Sequence, residues 1–226
     1  MDAKSTPERG PAAPLLFFPA LKEMGLVGGL TLRVPGVDVR AAKDVVMPRL
    51  DKALRAASAH VAPGRVLITA EQVHGREVKL VEEPDPACHA GVDALVTLRR
   101  DVVLGIAVAD CCPVWLADDG GRGLAVIHAG RKGMELGIVP AALDLLCAAT
   151  GARPDGVRAF LGPCIRPPHY EVDVAGGILA QLAATGVTRA TDCGLDTASD
   201  LERFYSYRVE KGQTGRMLAL GALAAG

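Results

Sequence analysis

Short apolar runs separated by polar turns dominate the middle of the chain. Residues 66–70, 78–81, 93–97, 102–108, 115–117, 124–127 and 157–161 are apolar and rich in β-branched side chains, which predicts strands. Residues 15–32 are apolar and Gly-rich and read as one or two further short strands. Asp118-Asp119-Gly120-Gly121 is a hairpin signal between two of the runs. Three stretches follow a helical period instead: 41–59, with Pro48 as a possible kink, 137–150, with Gly151 placed to cap it, and 174–184. Asp196 or Thr197 is placed to cap a helix running through Tyr207, and 217–223 fits either a strand or a helix. Strands and helices mix without strict alternation, so the fold class is α+β: one domain of mixed sheets flanked by helices. Residues 1–14 read as a flexible tail ahead of a domain spanning 15–226.

Composition narrows what such a domain does. The net charge is −1 and aromatics make up 4% of residues, so neither an electrostatic draw to nucleic acid or anionic membranes nor a base-stacking surface is expected. No run approaches the roughly 20 apolar residues of a membrane span, and residues 1–14 lack the apolar core of a signal peptide. The six cysteines, at 88, 111, 112, 147, 164 and 193, form no C-x-x-C, which points to reduced thiols in a cytoplasmic protein.

Three of the predicted strands end in a side chain that ligates metals: His74, Cys111 and His128. Two imidazoles and a thiolate are a ligand set of catalytic zinc, which keeps a fourth position open. The separations of 37 and 17 residues are not a motif in themselves, and a buried structural Cys with ordinary histidines is the plainer reading. In an extended backbone adjacent side chains face opposite ways, so only one of Cys111 and Cys112 reaches a shared site.

Gln72-Val73-His74-Gly75, Asp93-Ala94-Leu95-Val96-Thr97, Ala109-Asp110-Cys111-Cys112-Pro113-Val114, Ile127-His128-Ala129-Gly130 and Leu161-Gly162-Pro163-Cys164-Ile165 occur in that order. Together they resemble the laccase-domain family, also called YfiH-like or multicopper polyphenol oxidase-like and described as purine nucleoside phosphorylases. The similarity runs from about Leu67 to the C-terminus. It implies a layered α/β/β/α arrangement and a zinc site, or alternatively a copper site, on His74, Cys111 and His128, which selects Cys111 over Cys112. It also implies phosphorolysis of purine nucleosides with phosphate, and deamination of adenosine. Copper-dependent phenol oxidation is an older assignment within the family, and one branch is described as editing peptidoglycan.

The chain departs from the family where His128-Ala129-Gly130 continues as Arg131-Lys132-Gly133 instead of Trp-Arg-Gly. Arg131, Lys132 and Asp110 are the candidate substrate residues, with Arg76 a further phosphate candidate and Asp110 or Glu171 the possible acid/base. A second function class uses the same residues: Cys111 as a thiolate nucleophile with His74 or His128 as its base, in a hydrolase acting on peptidoglycan precursors. A third is a metal-binding homologue without activity.

Overall fold

The computed structural model describes residues 12–86 and 88–225. In chain order the elements are β1 (Leu15–Leu16), α1 (Pro19–Glu23), β2 (Leu26–Thr31), α2 (Lys43–Val61), β3 (Val66–Glu71), β4 (Val78–Val81), β5 (Cys88–Ala90), β6 (Ala94–Thr97), β7 (Val102–Val108), β8 (Cys112–Asp118), β9 (Leu124–Ala129), α3 (Arg131–Glu135), α4 (Ile138–Thr150), β10 (Val157–Leu161), α5 (Val174–Ala184), β11 (Arg189–Asp192) and β12 (Met217–Leu223). They build two mixed six-stranded sheets, ordered β1-β2-β12-β7-β3-β5 and β11-β10-β8-β9-β6-β4.

Side-chain alternation explains how the layers stack. On β8, Val114 and Leu116 pack with α4 and α5, while Trp115 and Ala117 face the other sheet. On β9, Ala125 and Ile127 face the helices, and Leu124 and Val126 face the sheet. Strands covered on both faces need apolar side chains at every position, which is why they read as continuous runs and not as alternating patterns. On its outer side the first sheet shares a core with Val46, Leu50 and Leu54 of α2. The layers are therefore helix, sheet, sheet, helix, an α+β domain. The Trp115 indole N–H ties the two sheets together by donating to the Leu220 carbonyl at 3.0 Å.

Helix α2 runs through Pro48. That residue faces solvent, where water serves the carbonyl left without a donor. Gly151, at φ 73°, closes α4 in the left-handed conformation that side chains resist. The 217–223 stretch is a strand at the centre of its sheet, paired with both β2 and β7. Three expectations are corrected. Residues 15–32 contain the helix α1 between their two strands. The sequence pattern predicts a loop over Pro84–His89, but Cys88–Ala90 forms an edge strand parallel to β3. The expected helix from Asp196 to Tyr207 is only a 3-10 turn, Thr197–Ser199, followed by turns. Asp196 caps that turn through the Ala198 amide, and beyond it local turn bonds such as Phe204 to Asp200 alternate with long-range ones from Ser206 and the Arg208 amide to Asp110, so no helix propagates. Of the expected tail, residues 1–11 lie outside the described residues, while Ala13 is buried and its amide bonds to Ala53.

Candidate metal centre

The site lies where the chain passes from one sheet to the other. Strand β7 belongs to the first sheet and β8 to the second, and only Ala109, Asp110 and Cys111 join them. So short a crossing demands an unusual backbone, and Asp110 takes φ 82°. Its carboxylate holds the corner: Thr197 Oγ donates to one oxygen at 2.7 Å, and Ser206 Oγ and the Arg208 amide donate to the other at 3.1 and 2.7 Å. With both oxygens engaged, Asp110 anchors the segments around residues 197 and 206–208.

Cys112 opens β8 on its helix-facing side, fully buried in that core. Cys111, one residue earlier, projects the other way. His128 has the same parity on β9 as Leu124 and Val126, so it too points between the sheets. His74 arrives from the turn after β3 at φ 58°, another left-handed residue without a glycine's freedom. The ligand atoms of His74, Cys111 and His128 all lie within 4.8 Å of one another. The two imidazole rings meet edge to face, with centroids 4.8 Å apart.

Asp93, just ahead of β6, is the hub that the motif reading passed over. It is fully buried, and one carboxylate oxygen contacts His128 Nδ1 at 2.8 Å while accepting the His74 amide at 2.9 Å. The other oxygen accepts the amides of Val73 and Gly75 at 3.2 and 2.7 Å. One side chain thus shapes the turn that presents His74 and orients the His128 ring, leaving Nε2 of His128 for the site. Burial alone would raise its pKa, but the His128 and amide hydrogen bonds bring it down to about 2. Gln72 pins the same turn to β7 by accepting the Ala107 amide at 3.1 Å.

Burial pushes the Cys111 thiol up, yet the charge of His128 and hydrogen bonds from both histidines bring it down to about 6. For His128, burial acts downward and is outweighed by Cys111 and Asp93, giving about 9. The pair is a thiolate beside an imidazolium. A borderline-soft divalent ion fits this donor set, because it takes the thiolate and displaces the imidazolium proton. Space is also left beside the sulfur. A Cβ at position 130 would lie 2.7 Å from Cys111 Sγ and 3.3 Å from the His74 ring, so only glycine fits at the start of α3.

Above the three ligands lies a cavity of about 800 Å³ whose lining includes Arg131, Lys132, Arg208, Lys211 and Arg216. Arg131 sits at its rim, paired with Glu135 at 2.9 Å and Glu171 at 3.6 Å. Lys132 lines the cavity, as does the backbone corner at Asp110. Arg76 does not line it, and Glu171 is exposed and pairs with Arg208 at 2.6 Å. Arg208 and Arg216 were not singled out by the sequence reading. They lie 80 and 88 residues beyond His128, Arg208 at the end of the Phe204-to-Arg208 segment that is in register with the family and Arg216 outside any of the family motifs.

A family model described as multi-copper polyphenol oxidoreductase laccase matches residues 36–176 and 172–224. The chain is 37% identical over 174 residues to Purine nucleoside phosphorylase ORF3 of Streptomyces griseus, covering 65% of this chain and 70% of that protein. It is 35% identical over 140 residues to Purine nucleoside phosphorylase Rv2149c of Mycobacterium tuberculosis, covering 62% of this chain but only 56% of that protein. Among solved structures, the Bacillus licheniformis hypothetical protein YfiH superposes with a TM-score of 0.77 at 21% identity, over 94% of this chain and 97% of that one, a likeness of fold. Because the family model spans nearly everything from residue 36 to residue 224, the corner that carries Cys111 included, the chain belongs to the multi-copper polyphenol oxidoreductase laccase family.

Proposed function

We propose that this chain is a metal-dependent purine nucleoside phosphorylase that also deaminates adenosine, with zinc as its metal and copper the alternative. The observation that carries this reading is the convergence of His74, Cys111 and His128 within 4.8 Å on the floor of a cation-lined cavity. The names of the relatives support the substrate class. His74, Cys111 and His128 would hold the ion, and Asp93 would fix the tautomer of His128. When bound, the metal supplies Lewis acidity beside the nucleoside. In this reading the cations of the cavity hold the anionic partner. The free cysteines suit a reducing compartment such as the cytoplasm, and no helix among the described residues is long and apolar enough to cross a membrane.

A second reading has its own observation. Cys111, His128 and Asp93 stand in the order nucleophile, base and orienting carboxylate, as in a cysteine hydrolase. One experiment separates the two. Protein purified without added metal is analysed for zinc and copper, then assayed with inosine plus phosphate and with adenosine, before and after chelation. The phosphorylase reading expects about one metal per chain and turnover lost on chelation and restored by zinc. Metal-free protein that turns over unchanged in chelator would sink it in favour of the thiolate enzyme.

A further inference from the structure

The cations of the cavity are not equivalent. Arg131 and Arg208 are already neutralised by Glu171, and Arg131 by Glu135 as well. Arg216 is part-buried just before β12, and no carboxylate of the described residues lies within ion-pair distance of it. One terminal nitrogen donates to the carbonyls of Thr214 and Gly215 at 3.1 and 2.8 Å, and the guanidinium lies 5.5 Å from the centre of the Tyr207 ring. Its Nε and second terminal nitrogen have no protein acceptor, yet they are not sealed in the core, since Arg216 lines the cavity. Lys211 lines the same cavity from the same loop. Asp110, the acidic side chain in this lining, has both oxygens occupied.

Cys111, Asp110 and Glu210 act on this guanidinium only through space, and a half-buried guanidinium with no carboxylate in contact is costly, a cost arginine does not escape by losing its proton. The Tyr207 ring on one face and two carbonyls gripping one nitrogen hold the planar fork in place, an arrangement that suits a phosphate or a carboxylate, and the phosphorolytic reading of the site selects phosphate. A neutral nucleoside can accept hydrogen bonds from such a fork but brings no negative charge to balance it.

We propose that Arg216, assisted by Lys211, is the phosphate subsite of the cavity. The inference rests on the phosphorolytic reading of the same site and replaces Arg76, Arg131 and Lys132 as its principal phosphate ligand. The phosphate group has two possible sources: inorganic phosphate as co-substrate, or the 5′-phosphate of a nucleotide. In the first case a phosphate oxygen forms the bond to C1′ as the C1′–N9 bond breaks, and its electron pair leaves with the purine, which takes up a proton.

The test uses the metal-loaded full chain. Phenylglyoxal modification of each arginine is followed by peptide mapping with inorganic phosphate, inosine 5′-monophosphate or neutral inosine present. Phosphate or the monophosphate is expected to slow modification of Arg216 about fivefold or more, while exposed Arg153 reacts unchanged and inosine gives no such protection. Protection by phosphate assigns the co-substrate, and protection by the monophosphate alone assigns a nucleotide. No protection by either, or protection at Arg131 instead, overturns the proposal. In turnover, R216Q is expected to raise the KM for phosphate about tenfold or more with the KM for inosine changed less than about twofold, and R216K to fall between. An unchanged phosphate KM in R216Q also overturns it. A wild-type protein that binds phosphate at Arg216 but does not phosphorolyse nucleosides would refute the functional reading and leave this site standing.

Discussion

Cys111 and Cys112 are neighbours in sequence and share almost nothing else. Cys111 stands at the open end of the sandwich between two imidazoles, which bring its thiol down to about 6. Cys112 is sealed under α4 and α5 beside Cys164, and contact with that thiol and burial push it well above the ordinary range. The difference comes from strand alternation, which turns consecutive side chains to opposite faces, and from the left-handed Asp110, which ends one sheet and begins the other. Reactivity here belongs to position in the fold, not to residue type.

The largest break in that comparison is expected from Cys111→Ala. Removing a ligand from a three-ligand site should lower bound metal from about one per chain to near zero and turnover roughly a thousandfold, with the fold intact by circular dichroism. Elemental analysis and an inosine phosphorolysis assay check both. Metal retained at full stoichiometry would show that Cys111 is not a ligand.

The next effect separates the two thiols in metal-free protein. A pH titration of stability will not reveal the Cys111–His128 pair. In the folded state the pair keeps one proton between about pH 6 and 9, on His128, and in the unfolded state it also keeps one, on Cys111, so the two shifts nearly cancel. Alkylation reads the thiolate directly. Iodoacetamide is expected to label Cys111 with a midpoint near pH 6, and Cys112 at least about a hundredfold more slowly, by peptide mapping of native protein.

These two thiols also mark how far the sequence could be read. Alternation and the family pattern single out Cys111, and His74 and His128 fall in short motifs at strand ends, so the residues that converge were visible. The layered α+β architecture followed from apolar runs long enough to be buried on both faces. The motifs contain Asp93 without giving it a role, and Arg216 falls in none of them, because both roles depend on partners brought in by tertiary structure: three amides and a ring for Asp93, a cavity wall for Arg216. The region after Asp196 misled for the same reason. A capping residue begins a turn, but Ser206 and the Arg208 amide are drawn to Asp110, and Arg33 bonds to the Phe204 carbonyl, leaving no continuous helix.

Asp93→Asn is expected to act at intermediate size. An amide replaces one acceptor oxygen with a donor among three backbone N–H groups and His128, so metal affinity should fall about 10–100-fold, measured by competition with a chromophoric chelator. The wild type should also show an acid limb that the variant lacks. Because the Asp93 pKa is depressed to about 2, the stability it contributes is complete above about pH 4 and is lost as pH falls toward 2. Denaturant melts at pH 2, 3 and 4 measure that limb. A wild-type profile parallel to that of the variant would mean that Asp93 is not the hub.

Cys112→Ala should have the smallest effect, and its value lies in what stays unchanged. The sulfur is fully buried beside the Cys164 thiol, and its carbonyl contacts, to Pro113 and Gly162, are long at 3.7 and 3.9 Å. Truncation therefore removes packing and leaves a void no larger than one sulfur atom, at a cost of about 1 kcal/mol in urea denaturation. Metal content and turnover should stay within about twofold of wild type, because the Ala side chain keeps the same backbone and the same outward direction for its neighbour. Cys112→Ser sharpens the point. The carbonyls stand 3.7 and 3.9 Å from the sulfur, too far for an O–H bond, so the buried hydroxyl should cost more stability than the alanine variant and still leave the metal site filled. If either substitution emptied the metal site, the corner would have to transmit strain from the helix-facing core to Cys111, and the two faces of the strand would not be independent.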